Sequence, residues 1–192
     1  ILTGHGFKQV YNLKGGIADW QGHTAAGPGD MGMMLLKGNE SLTDVISLAY
    51  GLEEGLRKFY STAFKMADDP DVAALLSKLA RIEVNHKKRL FDLYLSMDPG
   101  PSDLEAFEAN IDKELMEGGF HPDTLLKQSL ASLSTPVGVI NFAMMLEAQA
   151  LDLYVRYADI SQDNQAEEML FKMADEEKAH LKSLGKLLEQ KI

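Results

Sequence analysis

Six side chains of cation-binding type recur in this sequence at matched spacings. Glu83 and His86 stand three apart in EVNH, and Glu177 and His180 three apart in EKAH. Glu53 begins EEGLRKFY, seven residues before Tyr60, and Glu147 begins EAQALDLY, seven before Tyr154. The offset between partners is 94 residues every time: 53 to 147, 60 to 154, 83 to 177 and 86 to 180. An insertion within either half alone would have broken that register, so the chain carries an internal repeat.

These polar residues occupy apolar stripes. Val72, Leu76, Leu79, Glu83, His86, Leu90, Leu93 and Met97 advance by alternating steps of four and three, the spacing of one helix face. Ile46, Ala49, Glu53, Leu56, Tyr60 and Ala63 behave alike, as do Ile140, Ala143, Glu147, Ala150, Tyr154 and Tyr157. A fourth stripe runs through Leu170, Met173, Glu177, His180, Leu184 and Leu187. An ionised carboxylate buried without a partner costs at least several kcal/mol. Four of them converging inside a bundle cannot all stay charged unaided. Two divalent cations would balance the four negative charges. An oxygen-rich, imidazole-containing donor set suits iron or manganese, with zinc a common substitute. Each ion would take one His, one terminal carboxylate and shared carboxylates, about 3.5–4 Å from its neighbour as in other two-metal sites.

The elements that must carry these residues are legible in the same way. Ser41 and Asp44 in SLTD form a capping signal for a helix to about Ala67. Asp69-Pro70 suits the cap and first turn of a second helix, ending before MDPGP at 97–101. Residues 102–134 form a long connection with short helices expected in SDLEAFEANIDKEL and PDTLLKQSLASL. Thr135-Pro136 opens a third long helix to about residue 160, and SQDNQ turns into a fourth reaching about Glu189. The expected fold is all-α: two helical hairpins joined by a long crossover, the connectivity of ferritin-like bundles. Tight turns alone would equally allow any antiparallel bundle.

The 192 residues, 45% hydrophobic and 25% charged, have the balance of a soluble globular chain with one good-sized core. A formal charge of -10 argues against nucleic-acid or anionic-membrane partners. With no cysteine there is no disulfide framework and no thiolate ligand or nucleophile in these residues. The longest apolar run, VGVINFAMML, is too short to span a bilayer. With no secretory signal in view, a cytoplasmic location is the expectation.

Residues 41 to 190 resemble the rubrerythrin branch of the ferritin-like superfamily through the six ligand-type residues in duplicated register. The resemblance implies a non-haem di-iron centre that reduces hydrogen peroxide, or dioxygen, in oxidative-stress protection. By position its metal ligands would be Glu53, Glu83, His86, Glu147, Glu177 and His180. Tyr60 and Tyr154 would be the candidate catalytic groups, hydrogen-bonding the carboxylates, although buried tyrosines equally serve as packing. Typical members carry a further Glu one turn after the third-helix ligand, where this chain has Ala150, and a Cys-rich rubredoxin module, which these residues lack. A rubredoxin-like external electron donor is therefore expected, together with a homodimer in which helix exchange is conceivable. A ferroxidase or iron-handling bundle without peroxide turnover is the alternative, and a metal-free scaffold a third.

Residues 1–38 differ from the rest. GFKQVYNLKGGIADW is similar to the last strand and helix of rhodanese domains, so 1–38 are expected to be the end of such a domain plus linker and 39–192 the metal-binding bundle. The sulfur-carrying Cys of that family is absent, and no sulfurtransferase activity is assigned. Glu54, about 100° round the helix from Glu53, is expected to be solvated, as is the basic run Arg81, Lys87, Lys88 and Arg89. His5, His23 and His121 are expected at the surface, and most of the methionines as core filler on helical stripes.

Overall fold

A computed structural model of the chain describes residues 35, 37–97 and 103–191. The rhodanese-like reading of 1–38, and with it His5 and His23, falls almost wholly outside the described residues.

Four long helices form the body: α1 (Leu42–Met66), α2 (Pro70–Ser96), α5 (Pro136–Ile160) and α6 (Asn164–Glu189). Between α2 and α5 the crossover contains two shorter helices, α3 (Leu104–Glu108) and α4 (Pro122–Ser129). The long helices begin where side-chain chemistry stops the chain's approach. Ser41 and Asp44 form a reciprocal capping box, and Asp69 accepts from the backbone of Asp71 and Val72. Thr135 caps α5 by accepting from Gly138, and Asp163 caps α6 by accepting from Gln165 and Ala166. Each cap satisfies N–H groups that lack an intrahelical partner.

The helix α1 packs along α2 and α5 along α6, as the expected pair of hairpins. Their core is divided. One apolar cluster unites Ile46, Leu52, Leu90, Leu153 and Leu170 with their neighbours. The other unites Leu56, Phe59, Leu76, Ile140 and Leu184 with theirs. On every long helix the ligand-type residues fall between the segments belonging to the two clusters. The bundle is thus two hydrophobic layers with a polar layer at mid-height. Burial on both sides fixes the helix rotations that point Glu53, Glu83, Glu147 and Glu177 at one another.

The crossover departs from expectation. The helix expected across 102–115 survives only as α3, because Asn110 turns back to the Ala106 carbonyl and Asp112 caps the amide of Glu114. The chain then lies directly on α1. A Cβ on Gly51 would come 2.1 Å from the Asp112 carbonyl oxygen, and one on Gly55 equally close to that of Leu115. After an antiparallel bridge between Met116 and Phe120 around the 3-10 turn Glu117–Gly119, α4 follows, and a second 3-10 turn (Ser132–Ser134) leads into α5. Among the described residues no helix is long and apolar enough to cross a membrane.

Candidate metal centre

The six ligand-type residues meet as two trios. Glu53 from α1 joins Glu83 and His86 from α2, while Glu147 from α5 joins Glu177 and His180 from α6. Within each trio the candidate ligand atoms all lie within 4.8 Å of one another. His86 Nδ1 is 3.0 Å from Glu83 Oε2 and 3.3 Å from Glu53 Oε2. His180 Nδ1 is 3.1 Å from both Glu147 Oε2 and Glu177 Oε2. All four carboxylates and His86 are buried, whereas the His180 side chain keeps 21% of its exposure.

Without a cation most of these groups hold on to their protons. Burial pushes the Glu53 carboxyl up to about 8, against the pull of its His86 hydrogen bond and with the help of Glu83. Burial raises Glu83 too, and lifts Glu177 well above the carboxylate range with Glu147 adding to the rise. Glu147 is the exception: burial would raise it, but hydrogen bonds with Glu177 and His180 outweigh that and hold it low. On the other hairpin, Glu53 and Glu83 overcome the burial of His86 and raise it to about 11. The protein alone therefore keeps protons where a cation would replace them.

The donor set fits a metal pair. Each trio offers two carboxylates and one imidazole, and buried Glu83 Oε1 has no hydrogen-bond partner. An unpaired buried acceptor of that kind is costly unless a cation or proton donor faces it. A cavity of about 180 Å³ between α2 and α6 reaches the site, with Glu53, His86 and Glu177 at its depth and Leu90 and Met173 on its walls. Arg89 and Glu176, 3.4 Å apart, stand at its exposed rim.

Tyr60 and Tyr154 are fully buried near these groups, but neither hydroxyl makes the hydrogen bond to a carboxylate that was expected. Burial raises both phenols far above their usual range, followed by Glu147 for Tyr60 and Glu117 for Tyr154. Each tyrosine thus feels most strongly a carboxylate outside its own helix.

Two surface expectations are corrected. Glu54 is buried, bonded by Arg57 (Nε 2.7 Å, Nη2 2.8 Å) and by Lys87 Nζ at 2.6 Å. Lys87 is likewise drawn in: it reaches Glu108 at 3.3 Å and lies over the Tyr50 ring, 4.7 Å from its centroid. The Tyr50 hydroxyl donates to Glu108, tying α3 to the same cluster. The crossover covers what would otherwise be the outer face of α1, and these charges pair because they are desolvated together. Arg81, Lys88, Arg89 and His121 are exposed as expected.

Glu117 is the residue that spacing did not reveal. It sits in the crossover, 3% exposed, with Oε2 buried and unpartnered. The available signal was indirect: Gly51 and Gly55 one turn apart on α1, and Gly118-Gly119 in a connection too long for a simple turn.

Comparison with known proteins gives two findings. A family model described as Rubrerythrin matches residues 44–188. A solved structure of a hypothetical protein from Pyrococcus furiosus is similar at 23% identity, covering 78% of this chain and 89% of that one, with a TM-score of 0.50; that likeness concerns the fold. No curated protein matches.

Proposed function

Because the chain belongs to the rubrerythrin family, we propose that it is a di-iron oxidoreductase that reduces hydrogen peroxide, or dioxygen, in protection against oxidative stress. The observation that carries this reading is the pair of Glu-Glu-His trios buried between two apolar layers. Glu53, Glu83 and His86 would hold one ion, Glu147, Glu177 and His180 the other, with manganese or zinc able to substitute. When bound, an iron pair supplies the two electrons that cleave an O–O bond.

The chain's own groups do the rest. The cavity between α2 and α6, lined by both apolar and charged side chains, is of a size to admit small molecules such as peroxide or dioxygen. Tyr60 and Tyr154 keep their protons at any physiological pH, so they act as neutral O–H donors toward the substrate oxygens. Both trios hold protons that cation binding displaces. The electrons for repeated turnover come from a rubredoxin-like donor outside these residues, which contain no cysteine.

Elemental analysis of protein grown with iron, beside its Glu147→Ala variant, tests the centre. Two metals per chain, falling sharply in the variant, is the expected result; unchanged content removes the site. Stopped-flow oxidation of the ferrous protein then tests the reaction. Faster oxidation by peroxide than by dioxygen supports the peroxidase reading. The reverse order supports iron oxidation without peroxide turnover.

A further inference from the structure

The helical repeat accounts for four buried acids between the core layers; besides these and the ion-paired Glu54, the structure buries Glu117. Glu117 does not come from a long helix. It sits in the 3-10 turn Glu117–Gly119, which the crossover inserts against α1 and α5. On the α1 side, the backbone just before it rests on Gly55, where a Cβ would lie 2.1 Å from the Leu115 oxygen and 2.9 Å from Met116 Cα. On the α5 side, Gly118 packs so close to Gln149 that a Cβ would come 2.2 Å from its Oε1. Gly55 and Gln149 each lie two residues from a candidate ligand, Glu53 and Glu147.

The turn is built to hold one side chain inward. The Met116 amide donates to the Phe120 carbonyl at 2.9 Å, and the Gly119 amide to that of Met116 at the same distance. Gly118 and Gly119 adopt φ of 76° and 72°, a region that only glycine enters at little cost. Met116 is wholly buried and Glu117 nearly so. The carboxyl group is in electrostatic reach of Glu53, Glu147 and His86, and also bears on Tyr60, Tyr154 and Glu177. Its Oε2 has no hydrogen-bond partner. Burying a carboxyl with one oxygen unpartnered and fixing two glycines are both unfavourable, and a cation at the trios would offset them.

We propose that Glu117 is a further carboxylate ligand of the metal pair, delivered from the crossover rather than from a bundle helix. The proposal rests on the di-metal reading above. It has an electrostatic consequence. Four carboxylates balance two divalent ions, so a fifth leaves a surplus negative charge that favours the trivalent state.

Two measurements decide it. The first is the structure of the wild-type chain loaded with manganese, which needs no variant to fold. A Glu117 oxygen within about 2.5 Å of an ion is expected, near the usual carboxylate–metal distance. The second is manganese affinity and, for the iron form, the midpoint potential of Glu117→Gln, with the exposed Glu114→Gln as control. Affinity at least tenfold weaker and a raised potential are expected for Glu117→Gln, with no change for the control. The proposal falls if the loaded wild type holds two ions with Glu117 beyond about 4 Å of both, or if Glu117→Gln binds and titrates as wild type does. A wild type that binds no metal sinks the di-metal reading itself, and this proposal with it.

Discussion

The rings of His86 and His180 stack face to face, with centroids 4.4 Å apart and planes only 9° from parallel. The two residues are partners in the 94-residue repeat, so the stack lies where the two halves meet. Each Nδ1 faces its own pair of carboxylates. One histidine thus belongs to each half-site. His86→Ala and His180→Ala should each lower bound metal from two ions to about one per chain, measured by elemental analysis. Full occupancy in both variants would contradict the one-histidine-per-ion arrangement.

The metal-free protein should lose stability as pH rises. Burial, with Glu83 adding and His86 opposing, lifts Glu53 from the usual 4.5 to about 8. Its contribution is fully present below about 4.5 and is lost as pH climbs through about 8. His86, raised from 6.5 to about 11 by Glu53 and Glu83 against the effect of burial, acts in the same direction at higher pH. The melting temperature in EDTA should therefore fall between pH 5 and pH 9. Metal-loaded protein, its ligands already ionised, should show a much flatter profile over that range. A flat profile in EDTA would contradict the proton-filled site.

Lys87 is predicted to matter for stability despite its polar type. Lys87→Met removes its bonds to buried Glu54 and to Glu108 and should cost about 2 kcal/mol, the range for hydrogen bonds to charged groups. Denaturant unfolding measures this directly. The same cluster sets an acid limit. Burial would raise Glu54, but Arg57 and Lys87 outweigh it and hold it at about 2, so its contribution is present above about 4.5 and lost as pH falls through about 2. In Lys87→Met that acid loss should be smaller and should finish at higher pH, because only Arg57 still holds Glu54 down.

Tyr60→Phe should be neutral or stabilising in the metal-free chain. It deletes a buried hydroxyl that has no partner while keeping the ring's T-shaped contact with Phe59, 5.6 Å between centroids. A gain of up to about 1 kcal/mol is expected, or roughly 2–4 °C in melting temperature for a chain of this length. A loss of several degrees would mean that the hydroxyl has a bonding partner after all.

Sequence by itself determined the helices and their chemistry, because both depend on local periodicity. Caps at Ser41, Asp69 and Thr135 mark where helices begin, and steps of three and four fix which face is buried. Glu53, Glu83, His86, Glu147, Glu177 and His180 could be named because they interrupt that face at repeated positions. The tertiary structure alone decided what the crossover does. Its path over Gly51 and Gly55 is a contact between segments some 60 residues apart, which no periodicity encodes. That path desolvates Glu54 and Lys87, which helix geometry places at the surface, and buries Glu117. Helix faces follow from spacing within one segment, whereas the burial of a loop residue follows from which distant surface the loop covers.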